Sequence, residues 1–456
     1  MTLREHRGGG FGHMDDRAAT VQVHRQRPSD VGLVHPDWSR DATVYEVNTR
    51  EFTPQGTFAA AVAHLPRLAD LGVSILWLQP VHTVGRSKGS PYAVRDYYQV
   101  DPELGTVEDL RAFVGAAHDL GMHVIVDWVA SHTACDCALV AEHPDWYCHD
   151  WKGDLGPAPW GWDDIVDLDY SVPAVRDYMV DAMVHWVREV ELDGFRCDIA
   201  GLVPTDFWER ARSALDAVRP VFLLAEWESR ELHDRAFDAT CCWSWAEAMR
   251  AVADGDANAN ALRSYYAWNT KAYRADAMRL LFVTDHDQNS WDSSTPHQFG
   301  GAQEVAVVLS MLSEGIPLVY DGPEDERRRA FFDAFFDADQ PGWHDHPMSE
   351  LYRRLIALKK ANSSLWNGTW GAPMVEVRTS KPSRVLAFTR QSSLNDDAIL
   401  MVANLSPQRR SVSLTDGPYT GPWTDFTTGD HITLTPGAAV DLTKWGYRAL
   451  VRGSGA

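Results

Sequence analysis

Apolar residues along the chain fall into two alternating periods. Short, near-continuous runs occur at 42–52 (ATVYEVNTREF), 73–81 (VSILWLQPV), 123–132 (HVIVDWVASH) and 192–200 (LDGFRCDIA). Four more follow at 221–226 (VFLLAE), 239–245 (ATCCWSW), 279–287 (RLLFVTDHD) and 316–322 (IPLVYDG). Each has the length and continuity of a strand covered on both faces. Between them the spacing is helical: 57–71 closing at Gly72, 107–120 closing at Gly121, 174–190, 204–218, a region from 246 to 273, and 301–314 closing at Gly315. Another amphipathic stretch, 348–362, follows the eighth strand. Eight strand–helix alternations predict an α/β fold, a closed (β/α)8 barrel, with a doubly wound sheet as the competing arrangement.

Two places break the alternation. Residues 133–173, rich in Trp, Asp, Pro and Gly, far exceed the ordinary βα loop of about 2–6 residues and predict an insertion over the barrel mouth. After about 370, short β-prone pieces such as VLAFTR, AILMVANL and AAVDLTKWG predict a small C-terminal antiparallel β-sandwich. The expected organisation is a flexible extension at 1–35, a barrel at 36–368 that carries the insertion, and a sandwich at 369–456.

Composition narrows the partners. Sixty-four acidic against 42 basic residues leave a formal charge of -22, which opposes binding to nucleic acid or to an anionic membrane. A soluble enzyme with a neutral substrate fits that balance. Nineteen tryptophans offer flat faces that stack on sugars, although most Trp in any protein pack in cores. The six cysteines form no paired zinc spacing and read as free thiols in a reducing compartment. Residues 1–30 lack the apolar core of a signal peptide, and no run reaches membrane-span length. The expectation is a cytoplasmic protein.

Three of the strand-like runs end in acid: Asp198, Glu226 and Asp287. In a parallel barrel such ends converge on one mouth. Two carboxylates facing each other across a pocket suffice to break a glycosidic bond, one as nucleophile and one as proton donor. Arg196, two residues before Asp198 and on the same face of its strand, is expected to hold that acid ionised by lowering its pKa. The apolar neighbours of Glu226 suit a group that must stay protonated until it acts.

Five segments in order carry a resemblance. They are DWVASH (Asp127–His132), GFRCD (Gly194–Asp198), the lone Glu226, FVTDHD (Phe282–Asp287) and GIPLVYDGPE at 315–324. With SPYAVRDYYQVDPELGT (90–106), they resemble the α-amylase superfamily of glycoside hydrolases from about Val44 onward. The resemblance implies Asp198 as nucleophile, Glu226 as general acid/base and Asp287 as stabiliser of the oxocarbenium-like transition state. It implies His132 and His286 as ligands of sugar hydroxyls, Tyr92 as stacking platform and Asp127 as the acid bracing Arg196. Trp128, Trp160, Trp162 and Trp227 are candidates for shaping outer subsites, with core packing an equal reading of each. Of these, Trp227 is kept with the substrate-binding set, while Cys197 is expected to point into the barrel wall.

Several positions depart from the family pattern. Ser131 stands where the family commonly has a calcium-ligating Asn, and Leu202 where a His commonly supplies a backbone ligand. We therefore expect no metal at that place and no cofactor. The acid cluster at 163–169 reads as a solvated loop. Asp285 replaces a common Asn, so it either pairs with a cation or one of the two neighbouring acids titrates upward. The insertion is short for the family, which is compatible with a homodimer that completes the cleft. The segment YDGPEDERRRAFFDAFF departs most from the family and is expected to shape the substrate site.

The leading expectation is a retaining hydrolase cleaving α-glucosidic bonds in short linear or cyclic maltooligosaccharides. An α-glucanotransferase using the same covalent intermediate is the alternative. A non-catalytic carbohydrate-binding protein is disfavoured because all three carboxylates are present.

Overall fold

The computed structural model describes residues 33–86, 90–156, 162–288, 298–320 and 347–455. Eight strands close a barrel: β1 Val44–Val47, β2 Ile75–Leu78, β3 His123–Val129, β4 Gly194–Asp198, β5 Phe222–Ala225, β6 Ala239–Cys241, β7 Met278–Leu281 and β8 Ile316–Tyr320. Each pairs in parallel with its neighbours in the chain, and β8 pairs with β1. Closure rules out the doubly wound sheet. All residues of β1, β2, β4, β5, β6 and β7 are buried, which is why these runs are apolar without alternation.

The strands are shorter than the apolar runs that predict them. The tail of the first run is a helical turn, Thr49–Phe52, capped by the Asn48 side chain. β3 stops at Val129, and His132 opens a two-stranded hairpin, His132–Ala134 paired with Ile165–Asp167, inside the insertion. β7 stops at Leu281, so Asp287 lies six residues beyond it. Phe282 and Val283 are buried in the mouth yet outside the ladder. Apolarity reports burial, and burial continues past the last barrel hydrogen bond.

The helices show similar detail. Pro66 sits in the first turn of Leu65–Leu71, separating it from Phe58–Ala61 and the 3-10 turn Val62–His64. Left-handed Gly72 closes that segment. The region 246–273 holds two helices, Trp243–Asp254 and Ala259–Ala272. The predicted stop at Gly315 is corrected: Gln303–Leu312 ends at an extended Ser313. Gly315 instead lies against β7, where a Cβ would come within 2.5 Å of the Arg279 carbonyl oxygen. Among the described residues no helix is long and apolar enough to cross a membrane.

Beyond helix Pro347–Ala361 the chain forms two antiparallel sheets of six and three strands. The strand Ala398–Asn404 shows how they pack. Ile399, Met401 and Ala403 join the core shared with the barrel, while Ala398, Leu400 and Val402 join a second core with Val412 and Leu414 of the smaller sheet. Both faces are covered, so the sandwich is fixed onto the barrel rather than tethered to it.

Candidate active site

The polar ends of the barrel strands meet around one guanidinium. Arg196 lies in β4 beside Asp127 of β3 and is almost completely buried. Its Nη1 donates to Asp127 Oδ1 at 2.7 Å and to Asp198 Oδ1 at 2.8 Å, and its Nη2 lies 3.0 Å from Glu226 Oε2. Asp198 is the last residue of β4, and Glu226 follows β5 directly. Glu226 Oε2 also accepts the Ile199 backbone N–H at 2.7 Å, made available by a left-handed turn at Ile199. Asp127 accepts two further bonds, from Trp77 Nε1 at 3.2 Å and Tyr92 Oη at 3.3 Å.

One cation thus faces three buried carboxyls, and it does not hold all three ionised. Burial pushes Glu226 up to about 8, against the pull of Arg196 and with Asp198 and Asp287 adding to the rise. Burial likewise raises Asp198 to about 6, with Arg196 opposing and Asp127 adding. Arg196 pulls Asp198 down, as expected of an adjacent cation, but desolvation outweighs the ion pair and leaves the net shift upward. The order of the two acids is what a nucleophile and a proton donor need, with Glu226 holding its proton after Asp198 has lost its own.

His286 adds the far side of the site. Its Nε2 lies 2.8 Å from Tyr92 Oη and 3.5 Å from Asp287 Oδ1, and the Tyr92 and His286 rings stack at 5.7 Å. Burial alone would strip its proton, but Asp287 and Glu46 raise its pKa well above the ordinary value. Asp287 is the most open of the three acids, with a side chain 41% exposed. Asp285 makes no close ion pair among the described residues; one oxygen accepts the Gln288 N–H at 2.8 Å, and the charge of His286 only partly opposes the rise. Burial and then Asp287 push it up to about 7, so the upward titration is the outcome.

The remaining expected residues divide. His132 is buried, with Nδ1 2.7 Å from Ser131 Oγ and Nε2 3.1 Å from the Tyr92 carbonyl. Burial lowers its pKa to about 4, so the ring is neutral, and it reaches a ligand only by giving up one of those bonds. Trp227 lies flat on Gly201 in the turn after β4, with Trp243 edge-on at 6.2 Å. Trp162 is 45% exposed with its ring edge towards His132, whereas Trp128 is a core residue packed on His82, Tyr97 and Phe195. Cys197 is buried and alternates away from Asp198. Trp160 and the segment after Tyr320 lie outside the described residues.

Glu46, Trp77 and Gln79 belong to the network and were not singled out from sequence. The available signal was a charge or amide inside a run otherwise fit for a barrel core. The Ser131 hydroxyl is committed to His132, so the family's calcium arrangement does not fit here. Among the described residues, only His118, His123 and Asp193 have metal-like spacing. They lie at the opposite end of the barrel, where Asp193 already serves His118 at 2.7 Å, Val124 N–H at 2.8 Å and Arg219 at 3.3 Å. A separate cavity bounded by Tyr273, Arg279, Glu314 and Trp366 lies outside the barrel wall and holds none of the converging acids.

A closed parallel barrel thus brings two buried carboxyls of unequal pKa onto one shared arginine at its mouth. Residues 33–332 match the family model described as alpha amylase, catalytic domain, and the chain belongs to that family of α-glucoside hydrolases. It is 28% identical to "Alpha-amylase MalA" of Haloarcula japonica over 90% of this chain and 61% of that protein, so it spans under two thirds of that relative's length. A cyclomaltodextrinase from a Bacillus species is 23% identical, over 85% of this chain and 76% of its own. Among solved structures, a noncanonic maltogenic alpha-amylase from Thermotoga neapolitana superposes with a TM-score of 0.80 at 27% identity, covering 90% of this chain and 98% of that one.

Proposed function

We propose that the protein is a retaining glycosidase that cleaves α-glucosidic bonds in short linear or cyclic maltooligosaccharides by double displacement. The carrying observation is the shared contact of Arg196 with Asp198 at 2.8 Å and Glu226 at 3.0 Å, together with the higher pKa of Glu226. In the first step the Asp198 carboxylate attacks the anomeric carbon while Glu226 protonates the departing glycosidic oxygen. In the second, Glu226 takes a proton from water, which attacks the glycosyl ester and releases Asp198. Asp287 balances the positive charge that develops on the ring in the transition state of each step. Cyclomaltodextrinases among the relatives support cyclic substrates. Unpaired cysteines are in keeping with a reducing, cytoplasmic setting.

The alternative is an α-glucanotransferase, in which a sugar hydroxyl replaces water in the second step. Proton NMR of products from a panel of linear and cyclic maltooligosaccharides separates the two. Shorter α-anomeric products alone support the hydrolase, and products longer than the substrate make it a transferase. A β-anomer released first overturns the retaining mechanism. Glu226→Gln is expected to abolish turnover while leaving sugar binding; unchanged activity removes the assignment. Sedimentation at working concentration tests the homodimer, which a purely monomeric species excludes.

A further inference from the structure

Glu46 is a carboxylate in β1, a strand with every residue buried, and has no accessible surface. Its register places it level with Trp77 of β2, on the barrel's inner face. Oε1 lies 2.6 Å from His286 Nδ1 and accepts from Gln79 Nε2 at 3.1 Å. Across the imidazole, Nε2 meets Tyr92 Oη at 2.8 Å, and that hydroxyl donates to Asp127 Oδ2 at 3.3 Å. Asp127 in turn holds Arg196. A polar chain therefore runs from β1 to the guanidinium on which Asp198 and Glu226 converge.

The proton positions follow from one assignment, that the Tyr92 hydroxyl donates to Asp127 Oδ2. With the Tyr92 proton given to Asp127, Tyr92 Oη presents a lone pair to His286 Nε2, and the Glu46 carboxylate faces Nδ1 at 2.6 Å as an ion-pair contact rather than an aligned hydrogen bond. A neutral imidazole carries one N–H and satisfies only one of them; an imidazolium satisfies both. The ring is faced by Glu46, Asp287, Asp285, Tyr92 and Asp127, with Arg196 as the opposing cation.

We propose that Glu46 is a positioning residue that locks His286 in its doubly protonated form, so that a charged N–H donor stands beside Asp287 for the sugar at the cleavage point. The sugar contact rests on the glycosidase reading above; the state of the ring does not.

The test uses full-length protein labelled with 15N-histidine, the His286 signals being assigned by their loss in His286→Gln. Wild type is expected to show an imidazolium at pH 7. Glu46→Gln should lower the His286 titration midpoint by at least about one pH unit, and Glu46→Asp should restore part of it. In turnover of maltooligosaccharides, Glu46→Gln should cut kcat/KM by roughly 10-fold or more and move the alkaline limb to lower pH. A neutral His286 in wild type at pH 7, or a titration unmoved in Glu46→Gln, overturns the proposal, and the first reading needs no folded Glu46 variant. A shifted titration in a protein that turns over no α-glucan supports the positioning role and removes the glycosidase reading instead.

Discussion

Trp227 rests directly on Gly201: a Cβ built on that glycine would lie 2.1 to 2.2 Å from the indole ring. The two residues tie the turn after Asp198 to the turn that carries Glu226, so the two acids share a mechanical contact outside their charges. Gly201→Ala forces the indole or one of the turns to move. Displacement of about 1 Å near reacting atoms costs on the order of 100-fold in rate. The expected result is a fall in kcat/KM of about 10- to 100-fold with little change in melting temperature. Trp227→Ala removes the clash, so Gly201→Ala in that background should cost less than it does alone. Additive losses in the double variant would show that the contact carries no constraint.

The two acids on Arg196 set the pH profile. The nucleophile must be ionised, which burial delays to about 6, and the donor must be protonated, which burial extends to about 8. A bell-shaped kcat/KM with its maximum near pH 7 follows, its limbs belonging to the pair. Asp127 adds to the rise of Asp198. Asp127→Asn should therefore move the acid limb to lower pH while reducing the maximum, because Arg196 loses a 2.7 Å partner. An acid limb that stays in place, measured with a neutral maltooligosaccharide, would contradict the shared-cation account.

The parts legible in the sequence are those governed by burial. The eight barrel strands, the insertion and the sandwich all follow from where apolar residues cluster. Asp198 and Glu226 were legible because each interrupts a buried run at its end. Asp287 was placed on a strand that had already ended, since buried mouth residues look like strand residues. Glu46 was passed over because one acid inside VYEV changes the pattern little, and its partner His286 is 240 positions away. The net shift of Asp198 is not legible, because sequence shows that Arg196 is adjacent and lowers the pKa but not how completely both groups are desolvated.

Asp285 is an acid where stability favours an amide. Burial, then the charge of Asp287, raise its folded pKa to about 7 from an ordinary 3.8. Below pH 3.8 it is neutral in both states and costs nothing. As pH rises to about 7 the unfolded chain releases the proton first, so the folded state loses stability across that window. By pH 7 the loss is on the order of 3–4 kcal/mol. Asp285→Asn should therefore melt at a similar temperature to wild type near pH 4 and at a clearly higher one at pH 7. A gain that is the same at both pH values would mean that Asp285 is not held neutral.

His82 works in the opposite direction. It sits in the second βα loop, 1% exposed, in a cage of Tyr97, Trp128 and Trp186, and neither ring nitrogen has a hydrogen-bond partner among the described residues. Burial lowers its pKa to about 3 from an ordinary 6.5. The ring is neutral in both states above pH 6.5. As pH falls from there towards 3, only the unfolded chain takes up the proton, so stability drains away in acid, by about 2 kcal/mol at pH 5. Trp128 is itself a residue of β3, directly after Asp127, so loosening this cage reaches the strand that carries that acid. His82→Phe keeps an aromatic ring without the titrating nitrogens, and the expected result is a melting temperature that falls less between pH 7 and pH 5 than in wild type. His233, also buried with its pKa lowered by burial first, keeps part of the acid sensitivity in the variant. Parallel melting curves for the two proteins across that range would show that His82 does not set the acid limit of the fold.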